Sequence, residues 1–315
     1  MYSSKNYNEA KNEILNRRND ARASADARRA EVELKHPEIA SINKELSGVG
    51  LLLFKTACSG GNIEPIKTRN MELQKRRGEL LISLGYAPDY TEVHYTCERC
   101  GDTGFDGARM CTCLKELLIR KNIISSGMGR LIDKQSFDNF DLEWYRASES
   151  DYKRMSQNLA VARAYAESFA RDKGNLLLIG TTGTGKTHIS TAIAAEVIKG
   201  GFDVLYDSAH NILSAMQNDQ FRDRYKTPDA ESDKYLECDL LIIDDLGTEF
   251  TTQMTLSFLY NLINTRKNKG LGTIISTNLS AQELAGKYEG RIYSRIVGSD
   301  YRVLVFSGKD HRIGL

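Results

Sequence analysis

Apolar residues follow one spacing before about residue 130 and another after about residue 175. In the first part three segments, 5–35, 38–58 and 64–84, are predicted to be helices, and apolar residues of the second and third recur at helical spacing. The first segment has few large apolar side chains, so we expect a solvent-exposed arm or a partner-binding surface. The other two predict a helical hairpin that turns at Gly60, Gly61 and Pro65. Its predicted packing residues are Ile39, Ile42, Leu46, Val49, Leu52, Leu53, Leu73, Leu80, Leu81 and Leu84.

The second part alternates short, continuous apolar runs with helical segments. The runs read NLLLIG, FDVLYDS, DLLIIDD, LGTIIST and YRVLVFSG. Continuous apolar strands separated by helices predict a parallel sheet that is covered on both faces, and therefore an α/β fold. We predict a helical N-terminal, partner-binding domain over 1–92, a four-cysteine module with a linker helix over 93–130, and an α/β domain over 131–315.

Composition narrows the class of protein. The chain has 315 residues, of which 41% are hydrophobic and 27% charged, values that are ordinary for a soluble globular protein. Its net charge is +1, so nucleic-acid contacts would need local basic patches. No apolar run approaches the roughly 20 residues of a membrane span, and the N-terminus lacks an apolar signal-peptide core. We therefore expect a cytoplasmic protein with no membrane contact.

The stretch LLLIGTTGTGKTH has the pattern of a phosphate-binding loop between a strand and a helix. Glycines allow the backbone N–H groups to point at phosphate oxygens, and the helix N-terminus adds its positive dipole end. Lys186 is predicted to reach the β- and γ-phosphates, and the Thr187 hydroxyl to bind Mg²⁺. The alternative is a plain glycine-rich turn. The predicted nucleotide-binding residues are Gly180, Thr181, Thr182, Gly183, Thr184, Gly185, Lys186, Thr187 and His188.

Polar side chains follow two later strands. Asp244 and Asp245 end DLLIIDD, and Asn278 follows LGTIIST. We predict that Asp244 organises Mg²⁺, that Asp245 polarises the attacking water, and that Asn278 orients water near the γ-phosphate. The alternatives are solvated acids at a strand end and a turn residue.

Two arginines follow, four residues apart on one predicted helix face. Arg295 is the candidate for an arginine finger that enters the site of a neighbouring subunit. Surface salt bridges of Arg291 and Arg295 are the alternative.

Four of the six cysteines lie in CERCGDTGFDGARMCTC. Stable disulfides are rare in the cytoplasm, so the spacing of Cys97, Cys100, Cys111 and Cys113 favours tetrahedral zinc. Four thiolates leave no coordination position for water, which predicts a structural site. An iron–sulfur cluster and unliganded thiols stay open, and His94 is a possible substitute ligand. Cys58 and Cys238 are expected to be small core residues.

The chain resembles the AAA+ ATPases of the DnaC/DnaI type, the bacterial and phage loaders of the replicative helicase. The resemblance lies in the order of four motifs: the phosphate loop, LLIIDDLG, IISTN and RIYSRIVG. The IstB-type transposon-helper ATPases share this core. The resemblance covers about 135–315, and the cysteine segment resembles, more loosely, one found ahead of the ATPase domain in many such loaders. It implies a five-stranded parallel sheet whose central phosphate-loop strand lies between the Asn278 and Asp244 strands. It also implies that subunits assemble into an open ring or spiral with ATP between neighbours, where Arg295 completes the site of the adjacent subunit. Single-stranded DNA would bind near the axis of that ring or spiral.

The resemblance further implies a helical insertion over about 209–226. Candidate DNA contacts there are Arg222, Arg224 and Lys226 to phosphates and Phe221 or Tyr225 to bases, although a mixed-charge surface helix fits equally. Arg312 is a weak substitute for the lid arginine of other AAA+ proteins. Phe137 and Phe140 are expected near the adenine or in the core.

Two functions stay open, each with ATP, Mg²⁺ and Zn²⁺ as cofactors. The first is an ATP-hydrolysing loader that delivers a DnaB-type replicative helicase to single-stranded DNA, with hydrolysis as an assembly switch. The second is an IstB-like transposition helper that acts on duplex DNA with a transposase. A metabolic phosphotransferase is more remote, because nothing forms a second substrate pocket. The long helical N-terminus and the cysteine cluster favour the loader.

Overall fold

The fold comes from a computed structural model that describes residues 3–170, 174–221, 230–288 and 290–310. The chain divides into two compact units. One comprises Glu9–Lys115, and the other comprises Met1–Asn8 together with Glu116–Leu315. The division predicted at residues 92 and 130 stays a prediction.

Three long helices begin the chain, as predicted. They are α1 (Ser4–Lys35), α2 (Pro37–Cys58) and α3 (Glu64–Ser83). The α2–α3 hairpin buries Ile39 and Ile42 of α2 and Leu73 and Leu81 of α3.

Two of the predicted packing residues lie outside the hairpin core. The side chain of Leu52 is 52% exposed and that of Leu84 is 37% exposed. Two facing helices bury only the stripes that meet, and Leu52 lies on the outer face of α2, where Leu51 and Phe54 are also exposed. The prediction that these two leucines pack in the hairpin was therefore wrong.

The cysteine segment folds around a small hairpin, with β1 (Phe105–Asp106) antiparallel to β2 (Arg109–Met110). The helix α4 (Thr112–Ser125) follows directly. Of the two remaining cysteines, Cys238 is buried as predicted, whereas Cys58 is exposed. The expectation of a core residue was wrong for Cys58, because the last turn of α2 points it away from the buried stripe of the hairpin.

Short elements then lead to the sheet: α5 (Leu131–Lys134), a 3-10 helix (Leu142–Tyr145) and α6 (Glu149–Glu167). The sheet consists of β3 (Asn175–Gly180), β4 (Val204–Ser208), β5 (Leu240–Leu246), β6 (Gly272–Thr277) and β7 (Tyr301–Phe306). All neighbouring strands are parallel. The predicted α/β fold with a five-stranded parallel sheet is confirmed.

The strand order is β4-β5-β6-β3-β7. The expectation that the phosphate-loop strand is central and lies between the Asn278 and Asp244 strands was wrong. Strand β3 is fourth of five, between β6 and β7, and β6 separates it from β5. The crossover places the strand that leads to Asn278 between the phosphate loop and the two carboxylates.

Helices cover both faces of the sheet. On one face, α6 and α7 (Lys186–Lys199) pack against a core that includes Leu176, Leu178, Ile242 and Ile274. On the other face, a second core includes Leu177, Leu241, Ile243 and Ile275. Its helices are α8 (Ala209–Phe221), α9 (Asp233–Glu237), α10 (Gln253–Asn268), α11 (Ala281–Lys287) and α12 (Arg291–Ile296). Successive residues of a strand point to opposite faces, which explains why these strands are apolar throughout.

A buried arginine of α10, Arg266, hydrogen-bonds to backbone carbonyls at the edge of the sheet. The side chain of Arg266 is 0% exposed. Its guanidinium donates to the carbonyls of Tyr235, Cys238 and Gly272 at 2.7, 3.0 and 2.6 Å. The buried charge is thus satisfied by backbone oxygens that precede β5 and begin β6.

Among the described residues, no helix combines the length and the apolar character needed to cross a bilayer.

Candidate nucleotide site and cysteine cluster

The loop between β3 and α7 has the backbone of a phosphate-binding loop. Gly183 and Gly185 have φ values of 77° and 89°, which are costly for residues with a side chain. A Cβ atom on Gly185 would lie 2.8 Å from the Tyr145 hydroxyl and 2.9 Å from Phe140 Cε2. The Tyr145 hydroxyl also donates to the Thr184 carbonyl at 3.1 Å. Both glycines are therefore required by the turn, and Gly185 is required also by the aromatic residues packed against it.

The loop lysine is buried at the edge of the sheet. Lys186 Nζ donates to the carbonyls of Gly180 and Thr181 at 2.6 and 2.8 Å and to Asn278 Oδ1 at 2.8 Å. Asn278 Nδ2 in turn donates to Asp245 Oδ1 at 3.2 Å. Three of the predicted catalytic residues, from three different segments, thus form one connected group.

The carboxylate of Asp244, the neighbour of Asp245, accepts hydrogen bonds from two hydroxyl groups. The Tyr206 hydroxyl donates to Asp244 Oδ2, and the Ser276 hydroxyl donates to Asp244 Oδ1. Burial, followed by the nearby Asp244 carboxylate, raises the pKa of the Tyr206 phenol. Asp244 is half-buried and Asp245 is exposed, so the two adjacent acids face different surroundings.

A cleft of about 530 Å³ opens at this edge of the sheet, within the size range of small-molecule sites. Aromatic side chains line one part of it and polar side chains the other. The aromatic residues are Phe140, Trp144 and Tyr145, and the polar ones include Lys186, Thr187, Asp245 and Asn278. The cleft therefore offers an apolar wall for a planar group beside a polar, cation-bearing end.

His188 also lines the cleft. Its Nε2 atom lies 2.9 Å from the Ser136 carbonyl and 2.9 Å from Asn139 Oδ1. Its ring meets the Phe140 ring edge-on, with centroids 5.1 Å apart. The structure thus places His188 against the segment before the 3-10 helix.

The residues predicted to contact adenine lie in different places, and most of those predicted to contact DNA lie outside the described residues. Phe140 lines the cleft, whereas Phe137 packs under the Arg163 guanidinium, 5.1 Å from the ring centroid. The insertion begins with α8, whose side chains Ile212 and Met216 are buried against the sheet. The Phe221 side chain and residues 222–226, with the predicted DNA contacts Arg222, Arg224, Tyr225 and Lys226, lie outside the described residues, as does Arg312.

The predicted arginine finger lies on α12 and packs against α10. Arg295 Nε donates to Asn264 Oδ1 at 3.1 Å, and one terminal nitrogen donates to the Tyr260 hydroxyl at 3.0 Å. Its guanidinium carbon lies 4.5 Å from the Tyr260 ring centroid. Arg295 does not line the cleft of its own chain, whereas Arg291 on the same helix is exposed.

The four clustered cysteines are brought together by the β1–β2 hairpin. Their sulfur atoms all lie within 4.8 Å of one another, with Cys97 to Cys111 at 3.8 Å and Cys100 to Cys113 at 3.5 Å. Tetrahedral zinc with Zn–S bonds near 2.3 Å requires sulfur atoms about 3.8 Å apart. The thiolates therefore fit zinc as a four-sulfur structural site. His94 stands apart, with Nε2 3.2 Å from the Asp89 carbonyl.

A buried carboxylate shapes the first half of this cluster. The two oxygens of Asp102 accept the backbone N–H groups of Thr96 and Cys97 at 2.8 and 2.9 Å. Asp102 is 1% exposed and has a φ of 50°. The cluster is thus preorganised by backbone hydrogen bonds as well as by the hairpin.

The sequence around this cleft matches a known protein family. A family model described as "IstB-like ATP binding protein" matches residues 117–290, which is more than half of the chain. The chain belongs to this IstB-like family. The match contains the phosphate loop, the two carboxylates and Asn278, so the cleft described above lies within the ATP-binding family region.

Relatives of this IstB-like chain extend the match. The replicative helicase loader DnaC of Escherichia coli (strain K12) is 24% identical over 198 residues, which cover 63% of this chain and 77% of that protein. The phage-like element PBSX protein XkdC of Bacillus subtilis (strain 168) is 25% identical over 251 residues, covering 74% of this chain and 90% of that protein. The crystal structure of DnaI is also similar, with 21% sequence identity and a TM-score of 0.46. The aligned region covers 58% of this chain and 94% of the DnaI chain. The resemblance predicted from the motifs is confirmed.

The residues at the polar end of the cleft fit Mg²⁺. Hydroxyl and carboxylate oxygens are the ligands that this hard cation prefers, and Thr187 and Asp245 supply them in the cleft beside Lys186. Asp244 precedes Asp245 in β5 and offers a second carboxylate. Thr187 and Asp244 are the residues we expect to hold the ion, together with the nucleotide phosphates.

Sequence reasoning missed three side chains of this site: Tyr206, Ser276 and Trp144. Tyr206 and Ser276 lie in apolar strands and become neighbours of Asp244 only through strand pairing. Trp144 is the single tryptophan of the chain, and its place close to Phe137, Phe140 and Tyr145 in the sequence was the available signal.

Proposed function

We propose that this protein is an ATP-dependent helicase loader, which binds a DnaB-type replicative helicase in the cytoplasm and delivers it to single-stranded DNA. The observation that carries the proposal is the long alignment with a protein named as a replicative helicase loader. That alignment accompanies a cleft lined by Lys186, Thr187, Asp245 and Asn278. A helical N-terminal unit with a four-cysteine cluster lies ahead of the family match.

ATP would occupy the cleft with its base toward the aromatic wall and its phosphates at the loop. Lys186 would hold the β- and γ-phosphates through its ammonium group, and Asn278 and Asp245 would orient the attacking water. Mg²⁺, when bound, neutralises phosphate charge and supports the displacement. Lys186→Ala should abolish ATP binding, and undiminished nucleotide affinity would refute this assignment.

Self-association would complete the site. Arg295 lies away from the cleft of its own chain, where Tyr260 and Asn264 fix its guanidinium. A neighbouring copy would use it to stabilise the charge that develops during phosphoryl transfer. Assembly and hydrolysis would then be coupled, and hydrolysis to ADP and phosphate would act as the switch.

The N-terminal unit would bind the helicase. The outer face of α2 exposes Leu51, Leu52 and Phe54, and clustered exposed apolar side chains are typical of interaction sites. Zinc bound by the four cysteines would stiffen this end of the protein without taking part in chemistry.

The family match favours a second candidate, an IstB-like transposition helper that acts on duplex DNA with a transposase. Pull-down of the host replicative helicase with the full-length protein separates the two functions. We expect the wild-type protein to retain the helicase, the variant Leu52→Asp with Phe54→Asp to lose it, and Cys58→Ser, on the same helix, to keep it. No helicase retention together with ATP-dependent assembly on duplex DNA would contradict the loader and favour the helper.

A further inference from the structure

Three adjacent strands place polar side chains in one row at the nucleotide edge of the sheet. In the pairing of β4 with β5, Ser208 lies opposite Asp244, so Tyr206, two residues earlier, points to the same face as Asp244. In the pairing of β5 with β6, Ile243 lies opposite Ile275, which sets Ser276 beside Asp244. The row therefore has the Asp244 carboxylate at its centre and a hydroxyl group on each side.

The two hydroxyl groups fix the plane of this carboxylate. Tyr206 donates to Oδ2 and Ser276 donates to Oδ1, so each oxygen has its own donor on a different strand. A carboxylate held by one donor can rotate about its terminal bond, whereas one held through both oxygens keeps a single orientation. Ser276 is fully buried, and its position is fixed by the sheet.

The Ser276 hydroxyl also reaches a second element of the nucleotide site. Ser276 Oγ accepts the backbone N–H of Asp245 at 3.1 Å. There the strand register is irregular, and Asp245 has a φ of 53°. The Ser276 hydroxyl thus satisfies a strained backbone position that directs Asp245 into the cleft.

We propose that Tyr206 and Ser276 are positioning residues that set the Mg²⁺ dependence of nucleotide binding by holding the Asp244 carboxylate in one orientation. The inference rests on the proposed nucleotide site. Outer hydroxyl groups that orient a metal-ligating carboxylate commonly change metal affinity by about 10- to 100-fold when they are removed. Tyr206→Phe removes one oxygen atom and keeps the ring, so its effect should fall on the carboxylate rather than on packing.

The test measures ATP affinity by equilibrium dialysis over a series of Mg²⁺ concentrations, with the fluorescence of the single tryptophan, Trp144, as a second readout in the same cleft. We expect the wild-type protein to bind ATP more tightly as Mg²⁺ rises. Tyr206→Phe and Ser276→Ala should each need about tenfold more Mg²⁺ for half of that gain. Their affinity in EDTA should match that of the wild type.

A buried tyrosine outside the cleft provides the matched control. The Tyr165 hydroxyl donates to the Gly174 carbonyl, and Tyr165→Phe should leave the Mg²⁺ dependence unchanged. A double-mutant cycle separates positioning from general destabilisation, because Tyr206→Phe should have no further effect on Mg²⁺ dependence once Asp244 is changed to Ala.

The outcomes are distinct. Wild-type Mg²⁺ dependence in Tyr206→Phe would overturn the inference and leave the nucleotide site intact. The inference would also be overturned if Tyr206→Phe changed the Mg²⁺ dependence equally in the wild-type protein and in the Asp244→Ala variant. A wild-type protein that binds no ATP at any Mg²⁺ concentration would overturn the proposed function as well.

Discussion

Gly185 tests whether the structure of the phosphate loop is correct, because an added methyl group has two separate costs there. Its φ of 89° lies in the left-handed region, which costs a residue with a Cβ about 1–2 kcal/mol. The new Cβ would lie 2.8 Å from the Tyr145 hydroxyl and 2.9 Å from Phe140 Cε2, closer than normal contact. Forcing such overlap typically costs about 1–3 kcal/mol. Gly185→Ala should therefore lower the free energy of unfolding by about 2–5 kcal/mol.

The measurement is urea unfolding, combined with ATP affinity by equilibrium dialysis. The variant should also bind ATP at least tenfold more weakly, because relief of the overlap moves the loop N–H groups away from the phosphates. Gly286→Ala on α11 is the control, since nothing lies within 4 Å of its added Cβ and its backbone is helical. That substitution should be neutral or stabilise by about 0.5–1 kcal/mol. A Gly185→Ala protein with wild-type stability and ATP affinity would refute the packing of the loop against Tyr145 and Phe140.

Four further predictions concern other parts of the chain. Arg266→Leu should destabilise the protein by about 3 kcal/mol or more in urea unfolding, because it leaves three buried carbonyls without their donor, whereas exposed Lys269→Leu should change little. Burial and the nearby Asp239 carboxylate raise the pKa of Asp203 to about 6, so ionised Asp203 costs stability that returns as pH falls from about 6 to about 4. Asp203→Asn should thus raise the unfolding free energy by about 3 kcal/mol at pH 8 and leave it unchanged at pH 4, and equal gains at both pH values would contradict the shift. Arg295→Ala should spare ATP binding but abolish most hydrolysis by assembled protein, with Arg291→Ala as the control on the same helix; normal turnover by Arg295→Ala would remove its role as a finger. Metal analysis should find about one zinc per chain, lost in Cys100→Ser and kept in Cys58→Ser, and a folded, metal-free wild-type protein would refute the zinc site.

Local pattern predicted most elements of the fold. The five strands are apolar on both faces, so each stands out between polar helical segments, and their number and parallel pairing were predicted correctly. The phosphate loop was equally clear, because strand, glycines, Lys186 and helix are consecutive in the chain.

Properties that depend on distant pairing were not predicted. The order of the strands comes from crossovers, and nothing within β3 or β5 indicates that β6 lies between them. The roles of Tyr206 and Ser276 depend on strand register, because their hydroxyl groups meet Asp244 only when three strands are aligned. The exposure of Leu52 has the same origin, since helical spacing marks a face without showing what packs on it.

The most direct test of the account is helicase loading onto circular single-stranded DNA, which has no free end. The host replicative helicase is incubated with the circle, this protein and ATP, and helicase bound to DNA is measured after gel filtration. The account predicts that wild-type protein increases helicase retention on the circle in the presence of ATP and that Lys186→Ala does not. Helicase retention that is the same with wild-type protein, with Lys186→Ala and with no added protein would contradict it.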